Sequence, residues 1–246
     1  MAARGRSWPR AWNGCEQRWL HSEGRAERSA WRDGGDVTSS RIGAQARNPL
    51  GPALAKALEE LRALDPYEVA AKAGATVVQA GPTLALSLPY YGQELVLAWP
   101  SGEVLTTSRP LFAAAHLVVL HYLIAADGAP MADRWLSFRE LPDGRVYDAA
   151  FRQRACEPLV ARFGQRPEAL AAAAQALGGE RLVFGDASFM FRVLPRVRAA
   201  VVLYAGDDEF PPDVTMLFDA SLRHYLPIED VAVLGGLLAA ELMRAK

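Results

Sequence analysis

The 246-residue chain has two cysteines, Cys15 and Cys156, and four histidines. Two thiols cannot build a disulfide framework, an iron–sulfur site or a four-thiolate zinc site. No apolar run reaches the roughly 18 residues that a membrane-spanning helix needs. The phosphate-cradling glycine loop is absent, and so is the serine elbow G-x-S-x-G. That removes the commonest nucleotide-binding and esterase readings. A net charge of −1 gives no reason to expect nucleic acid as a partner. Hydrophobic residues make up 51% and charged residues 22%, which excludes whole-chain disorder and a collagen-like fibre.

Charge and aromatics are unevenly spread. Residues 1–47 carry nine arginines, no lysine and five acids, a net charge of +4. Trp8, Trp12, Trp19 and Trp31 also lie there, without helical or strand periodicity. The remainder carries 18 basic and 23 acidic residues. We read 1–47 as a disordered extension or a misassigned start, with initiation near Val37 as one form of the latter. A basic arm for RNA or an acidic surface is the weaker alternative, because acids interrupt the arginines. Residues 48–246 are expected to form a single domain.

From Pro52 the pattern becomes regular. Leu54, Leu58, Leu61 and Leu64 mark one helical face. Asp65-Pro66-Tyr67-Glu68 opens a second helix, with Asp65 as cap, and Gly74 ends it. Strands are expected over Thr76–Gln79, Thr83–Leu88 and Gln93–Trp99, with a tight turn at Ser101-Gly102. Pro110–Ala126 is apolar nearly all round, the mark of a buried central helix. Trp135–Leu141 reads as a strand, Ala149–Phe163 as one amphipathic helix, and Pro167 starts another. Strands return at Leu182–Phe184, Phe189–Leu194, Ala199–Tyr204 and Val214–Phe218. A helix over Ile228–Arg244 closes the chain, with Glu229 and Asp230 suited to its dipole. Elements come in blocks rather than βαβ units. This predicts an α+β fold with a mainly antiparallel sheet packed with helices.

The candidate chemistry is concentrated late in the chain. Asp219, Ser221 and His224 sit between apolar segments, where buried polar groups need partners or a ligand. Ser221 and His224 share one side of a helical turn that Asp219 can cap. Asp186 stands at a strand start, and Arg139 offers a planar fork for a carboxylate or phosphate. These five, Arg139, Asp186, Asp219, Ser221 and His224, are the candidate ligand-binding set. A hydrolase or transferase built on Asp219, Ser221 and His224 is the enzymatic alternative, and a purely structural subunit the third. No catalytic residue is assigned, no metal site is expected, and the cofactor is left unknown. His116 and His121, five apart, cannot chelate as an i, i+4 pair and read as core histidines. Cys156 reads as packing, and Asp207-Asp208-Glu209 as a solvated turn.

The stretches WLSFRELPDGRVYDAAF, LGGERLVFGDASFMFRVLPRV, GDDEFPPDVTMLFDASLRHYLP and IEDVAVLG resemble the prokaryotic family catalogued as domain of unknown function 3786. The resemblance covers about residues 53–243. The family's pattern matches Asp186, Phe189, Phe210, Pro211, Asp219, His224, Tyr225 and Pro227. It has no established activity, so no residue role is carried over. The resemblance implies a cytoplasmic ligand-binding or accessory module from anaerobes, linked to corrinoid or one-carbon metabolism. It also implies an iron–sulfur or corrinoid protein as partner, since some members resemble this chain fused to a cluster-binding domain. No membrane or nucleic-acid partner is expected.

The charge and pattern contrast at residue 47 generates a first expectation. A chain beginning at Asn48 keeps its Tm within about 2 °C of the full chain in calorimetry. A drop beyond about 5 °C, near 1 kcal/mol, would show that the extension packs on the domain.

Overall fold

The computed structural model describes residues 49–108 and 111–245. The expectations for residues 1–47 lie outside the described residues. The chain divides into two compact units, 1–52 and 53–246. Of the first unit only its last four residues are described.

The elements in chain order are α1 (Gly51–Arg62), α2 (Pro66–Ala73), β1 (Thr76–Ala80), β2 (Thr83–Tyr90), β3 (Gln93–Ala98) and β4 (Val104–Thr107). Then come α3 (Ala113–Ala125), β5 (Trp135–Ser137), α4 (Gly144–Phe151), α5 (Glu157–Phe163) and α6 (Pro167–Ala176). The last are β6 (Glu180–Arg181), β7 (Ala187–Leu194), β8 (Val197–Tyr204), β9 (Asp213–Asp219) and α7 (Ile228–Arg244). Two sheets result, β1-β2-β3-β4 and β5-β9-β8-β7-β6, and every strand pair is antiparallel. The α+β expectation therefore holds.

Local chemistry explains most boundaries. The Asp65 carboxylate accepts from the Tyr67 and Glu68 amides at 2.9 and 3.0 Å, which caps α2. Glu68 takes Lys72 at 3.2 Å instead of closing a capping box. Gly74 ends the helix at φ 69°, a conformation that side chains resist. β2 runs Leu84, Leu86 and Leu88 along one side and pairs on both edges.

Four expectations need correction. The first sheet has a fourth strand, β4, which continues from the expected turn at Ser101-Gly102. The strand expected over Trp135–Leu141 stops at Ser137. There the Ser137 amide and hydroxyl both donate to Glu140, at 2.8 and 2.7 Å, and Phe138–Glu140 turns as a 3-10 helix. A local side-chain bond of this kind competes directly with the ladder. The helix expected over Ala149–Phe163 begins at Gly144 and carries a π turn at Arg152–Cys156. Pro158 has no N–H for the Arg154 carbonyl and its ring crowds that turn. The chain responds by widening, so Glu157 donates to the Arg152 carbonyl five residues back. Finally, β6 is only Glu180–Arg181, and Leu182–Asp186 forms a turn after it.

α3 is the centre of the core. Leu117, Leu120 and Tyr122 are among the largest fully buried side chains, as the all-round apolar pattern predicts. The helix expected from Pro110 starts at Ala113, because Phe112 is extended; Pro110 itself lies outside the described residues. Both α3 histidines are satisfied. His116 Nε2 meets the Gly102 carbonyl at 2.8 Å, and burial pulls its pKa down, with that contact opposing. His121 Nδ1 lies 2.6 Å from the Asp230 carboxylate on α7. Asp230 lies in the first turn of α7, where its charge suits the helix dipole as the sequence implies. It is buried at 1% exposure, and burial pushes its pKa up while His121 pulls it back. A charge that would be costly alone in the core is thus held by a partner.

α7 also crosses the π turn closely. A Cβ on Gly235 would lie 2.4 Å from the Phe151 ring and 3.5 Å from Ala155. Phe151 cannot yield, because it stacks on Phe138 at 4.1 Å and meets Phe218 edge-on at 6.0 Å. A Cβ on Gly236 would meet nothing within 4 Å. The two adjacent glycines therefore have opposite expectations. Gly236→Ala should raise stability by about 0.5–1 kcal/mol through helix propensity. Gly235→Ala should lower it by about 1–3 kcal/mol through overpacking, although it gains the same propensity. Urea denaturation of the two variants side by side checks the sign of each.

Candidate functional site

β9 ends at Asp219, and its register places two strands' worth of chemistry there. Trp135 of β5 lies opposite Asp219, and Ala199 of β8 lies opposite Phe218, which leaves Arg198 beside Asp219. The Arg198 guanidinium donates to Asp219 Oδ2 at 2.8 Å and lies 5.9 Å from the Trp135 ring centre. The connection from α3 to β5 returns to the same point. There the Ala132 amide donates to Asp219 Oδ1 at 3.0 Å and the Asp133 amide to Oδ2 at 2.9 Å. On the other side Asp219 starts the 3-10 turn Ala220–His224. It accepts from the Ser221 amide at 2.9 Å and the Ser221 hydroxyl at 2.6 Å.

One carboxylate thus receives five donors. Burial works to raise the Asp219 pKa, but Ser221, the Ala132 amide and Arg198 outweigh it and hold it below the ordinary value. Asp133 sits at φ 52°, which is uncommon for a side-chain-bearing residue. Its amide bond to Asp219 and its carboxylate contact with Arg198 hold it there. Arg198 Nε is buried with no hydrogen-bond partner among the described residues.

His224 lies one turn further. Its Nδ1 is 2.7 Å from Asp127 Oδ2, and Arg223 Nε donates toward its Nε2 at 3.4 Å. The pair is accessible, with side-chain exposures of 34% for His224 and 53% for Asp127. Burial tends to raise the Asp127 pKa, but the His224 and Ala129 bonds lower it further. Beside it, the Tyr225 hydroxyl donates to the Ala129 carbonyl. Burial raises the Tyr225 pKa against the pull of the Arg196 charge.

The expected set of five therefore divides. Asp219 and Ser221 are bonded to each other, and His224 follows on the same turn. The Ser221 hydroxyl points to Asp219, with Met131 Sδ 3.7 Å away, and His224 points to Asp127. A nucleophile–base relay would need serine on histidine. Asp186 lies at the opposite end of the sheet. Its carboxylate accepts from the Ala205 amide at 2.8 Å, whereas Arg198 marks the Asp219 end of the same strand. At about 3.3 Å per residue, the two ends are separated by roughly 20 Å. Arg139 is exposed in the 3-10 turn after β5 and makes no hydrogen bond with the other four among the described residues.

Three participants were not in the sequence-based set: Arg198, Asp133 and Asp127. Arg198 had a signal, as the only charged side chain in the apolar run Val197–Tyr204. The two aspartates had none, since they lie in the long connection 126–134. Cys156 is buried, and burial pushes its thiol up to about 11, as a packing residue requires. Among the described residues no group of three or more His, Cys, Asp or Glu side chains could hold a metal ion. Nor is any helix among them long and apolar enough to cross a membrane.

The family model described as Domain of unknown function (DUF3786) matches residues 65–241, more than half of the chain, and the chain belongs to that family. No curated protein and no solved structure matches.

The five-donor carboxylate generates a pH expectation. Its folded pKa is depressed, so its contribution is present above the ordinary carboxylate pKa and is lost as pH falls through the folded value. Asp219→Asn should cost about 3–5 kcal/mol at pH 7, because Arg198 is left without its buried partner. The gap between wild type and variant should narrow as pH falls below the ordinary carboxylate range toward the depressed folded value, where the wild-type carboxylate protonates. Guanidinium denaturation of both proteins from neutral to acid pH reads the two effects.

Proposed function

From membership of that family and the geometry around His224, we propose that the domain is a binding or accessory module that takes an anionic small molecule at the His224 edge. The carrying observation is the contrast between two neighbouring carboxylates. Asp219 is buried and filled by five donors, so it fixes the connection 126–134 and has no capacity left for a ligand. Asp127, in that fixed connection, holds only the His224 ring and the Ala129 amide. Asp127 orients the imidazole through Nδ1, and Arg223 Nε, 3.4 Å from Nε2, brings a guanidinium to the same exposed edge. Arg223 stands next to it and adds a permanent positive charge.

This arrangement favours binding over a hydrolase or transferase. Ser221 donates its proton to a carboxylate that is already saturated, and His224 is turned to Asp127 instead of to the serine. Arg139 and Asp186 contribute at separate places if they bind anything, because neither is near His224. The anaerobic corrinoid or one-carbon setting belongs to this proposal through the family resemblance. So do a cytoplasmic location and an iron–sulfur or corrinoid protein as partner.

Thermal-shift and calorimetric titration with inorganic phosphate, simple carboxylates and a corrinoid provide the test. Wild type should bind at least one anionic probe. Added salt should weaken that binding, because the attraction of the anion to the Arg223 charge is screened. His224→Ala should abolish the response yet cost under about 1 kcal/mol of stability, since the Asp127 pair is largely solvated. A variant destabilised by several kcal/mol, with a wild type indifferent to every probe, would assign His224 to the structural network instead.

A further inference from the structure

The opposite end of the second sheet carries a different surface. Two turns meet there, Leu182–Asp186 before β7 and Ala205–Pro212 between β8 and β9. Four of the eight large apolar side chains exposed among the described residues belong to these turns or the strand end between them. They are Val183, 97% exposed, Phe210 at 66%, Tyr204 at 49% and Phe184 at 39%. Such clustering on a surface marks an interaction site more often than isolated exposure does.

The turns are held rigidly, so the exposure is built in. The Asp186 amide donates to the Leu203 carbonyl at 2.9 Å, and the Asp186 carboxylate accepts from Ala205 at 2.8 Å. Gly185, at φ 53°, lies so close to β8 that a Cβ would sit 2.5 Å from the Leu203 carbonyl oxygen. In the second turn, Asp207 Oδ1 accepts from the Glu209 and Phe210 amides at 2.9 and 2.7 Å. The Asp207 amide donates back to the Phe210 carbonyl at 3.0 Å. A preordered apolar surface loses little entropy when it is covered.

The charge of the rim selects the occupant. Residues 182–186 and 204–211 carry Asp186, Asp207, Asp208 and Glu209 against one adjoining cation, the exposed Arg181, so the rim keeps a negative balance. The side chains of Asp208 and Glu209 are exposed and take no ion pair among the described residues. A second copy meeting this surface with its own would set the same carboxylates face to face. An anionic membrane or nucleic acid would be repelled in the same way. We propose that these two turns form a docking surface for a basic protein segment, in which Arg or Lys side chains flank apolar ones. The apolar groups would cover Val183, Tyr204 and Phe210, and the cations would pair with Asp208 and Glu209, which gives both affinity and register. The surface is independent of the His224 edge, so failure at one leaves the other standing.

The test uses the full chain and a fluorescent peptide of alternating Arg and Trp. Control peptides replace Arg by Glu, or Trp by Ser. Two variants carry substitutions only at exposed positions, Val183→Ser with Phe210→Ser, and Asp208→Lys with Glu209→Lys. The Arg–Trp peptide should bind, and added salt should weaken it. Each double variant should bind about tenfold or more weakly, and both control peptides should lose binding to a similar degree. Hydrogen-exchange protection should appear at 182–186 and 204–211. The proposal is overturned if wild type binds none of the peptides, or if both variants bind as wild type does. It is equally overturned if the Glu–Trp peptide binds as tightly, or if Phe210 instead mediates self-association that Phe210→Ser abolishes.

Discussion

The Asp219 carboxylate is the point on which the rest of this region depends. It draws donors from three separate places in the chain: Ala132 and Asp133 in the connection, Arg198 on β8, and Ser221 in the turn that follows β9. A buried charge is tolerated only when its lone pairs are filled, and here the filling groups are also the ones that need fixing. The connection 126–134 has no regular ladder of its own, so its amides must find acceptors elsewhere. Asp219 supplies two of them, and the Arg134 carbonyl is taken by the Ala220 amide at 2.8 Å. The left-handed Asp133 is stabilised by the same contacts that it makes.

That anchoring determines what His224 can do. Asp127 lies on the fixed connection and His224 on the fixed turn, so their pair is positioned by a buried network without being part of it. Stability and recognition are thus divided between neighbouring groups. The buried one is saturated, and the accessible pair lies beside the Arg223 guanidinium. Across the sheet, the 182–186 and 205–212 turns use the same device with smaller parts. Asp186 and Asp207 spend their carboxylates on backbone amides, which leaves Asp208, Glu209 and the apolar side chains at the surface.

The helical side rests on two contacts of α7. Gly235 admits the Phe151 ring, which the π turn and the Phe138 stack hold in place. Asp230 reaches His121 on α3, so the last helix is bonded to the most buried one. Two glycines inside a helix imply a close crossing, and Gly235 makes one. An acid in a first turn suits the dipole, and Asp230 keeps that place while its partner on α3 comes from long-range packing.

What the sequence determined by itself was the order and kind of its elements. Periodicity marked α1, an all-round apolar run marked α3, Asp65 and Gly74 bracketed α2, and alternation marked β2. These are signals a few residues long, set by backbone geometry and by which side must be dry. The sequence also showed that Asp219, Ser221 and His224 needed an explanation, because polar groups between apolar segments do. It did not show which partner each would find. The expected grouping with Arg139 and Asp186 rested on residue type, and residue type carries no distance. Only the β5-β9-β8 register brought Arg198 to Asp219 and sent Asp186 to the far end of the sheet. A shift in pairing moves a side chain by several ångströms, while a hydrogen bond tolerates only a few tenths. Partnership between residues far apart in the chain is therefore decided by the tertiary structure.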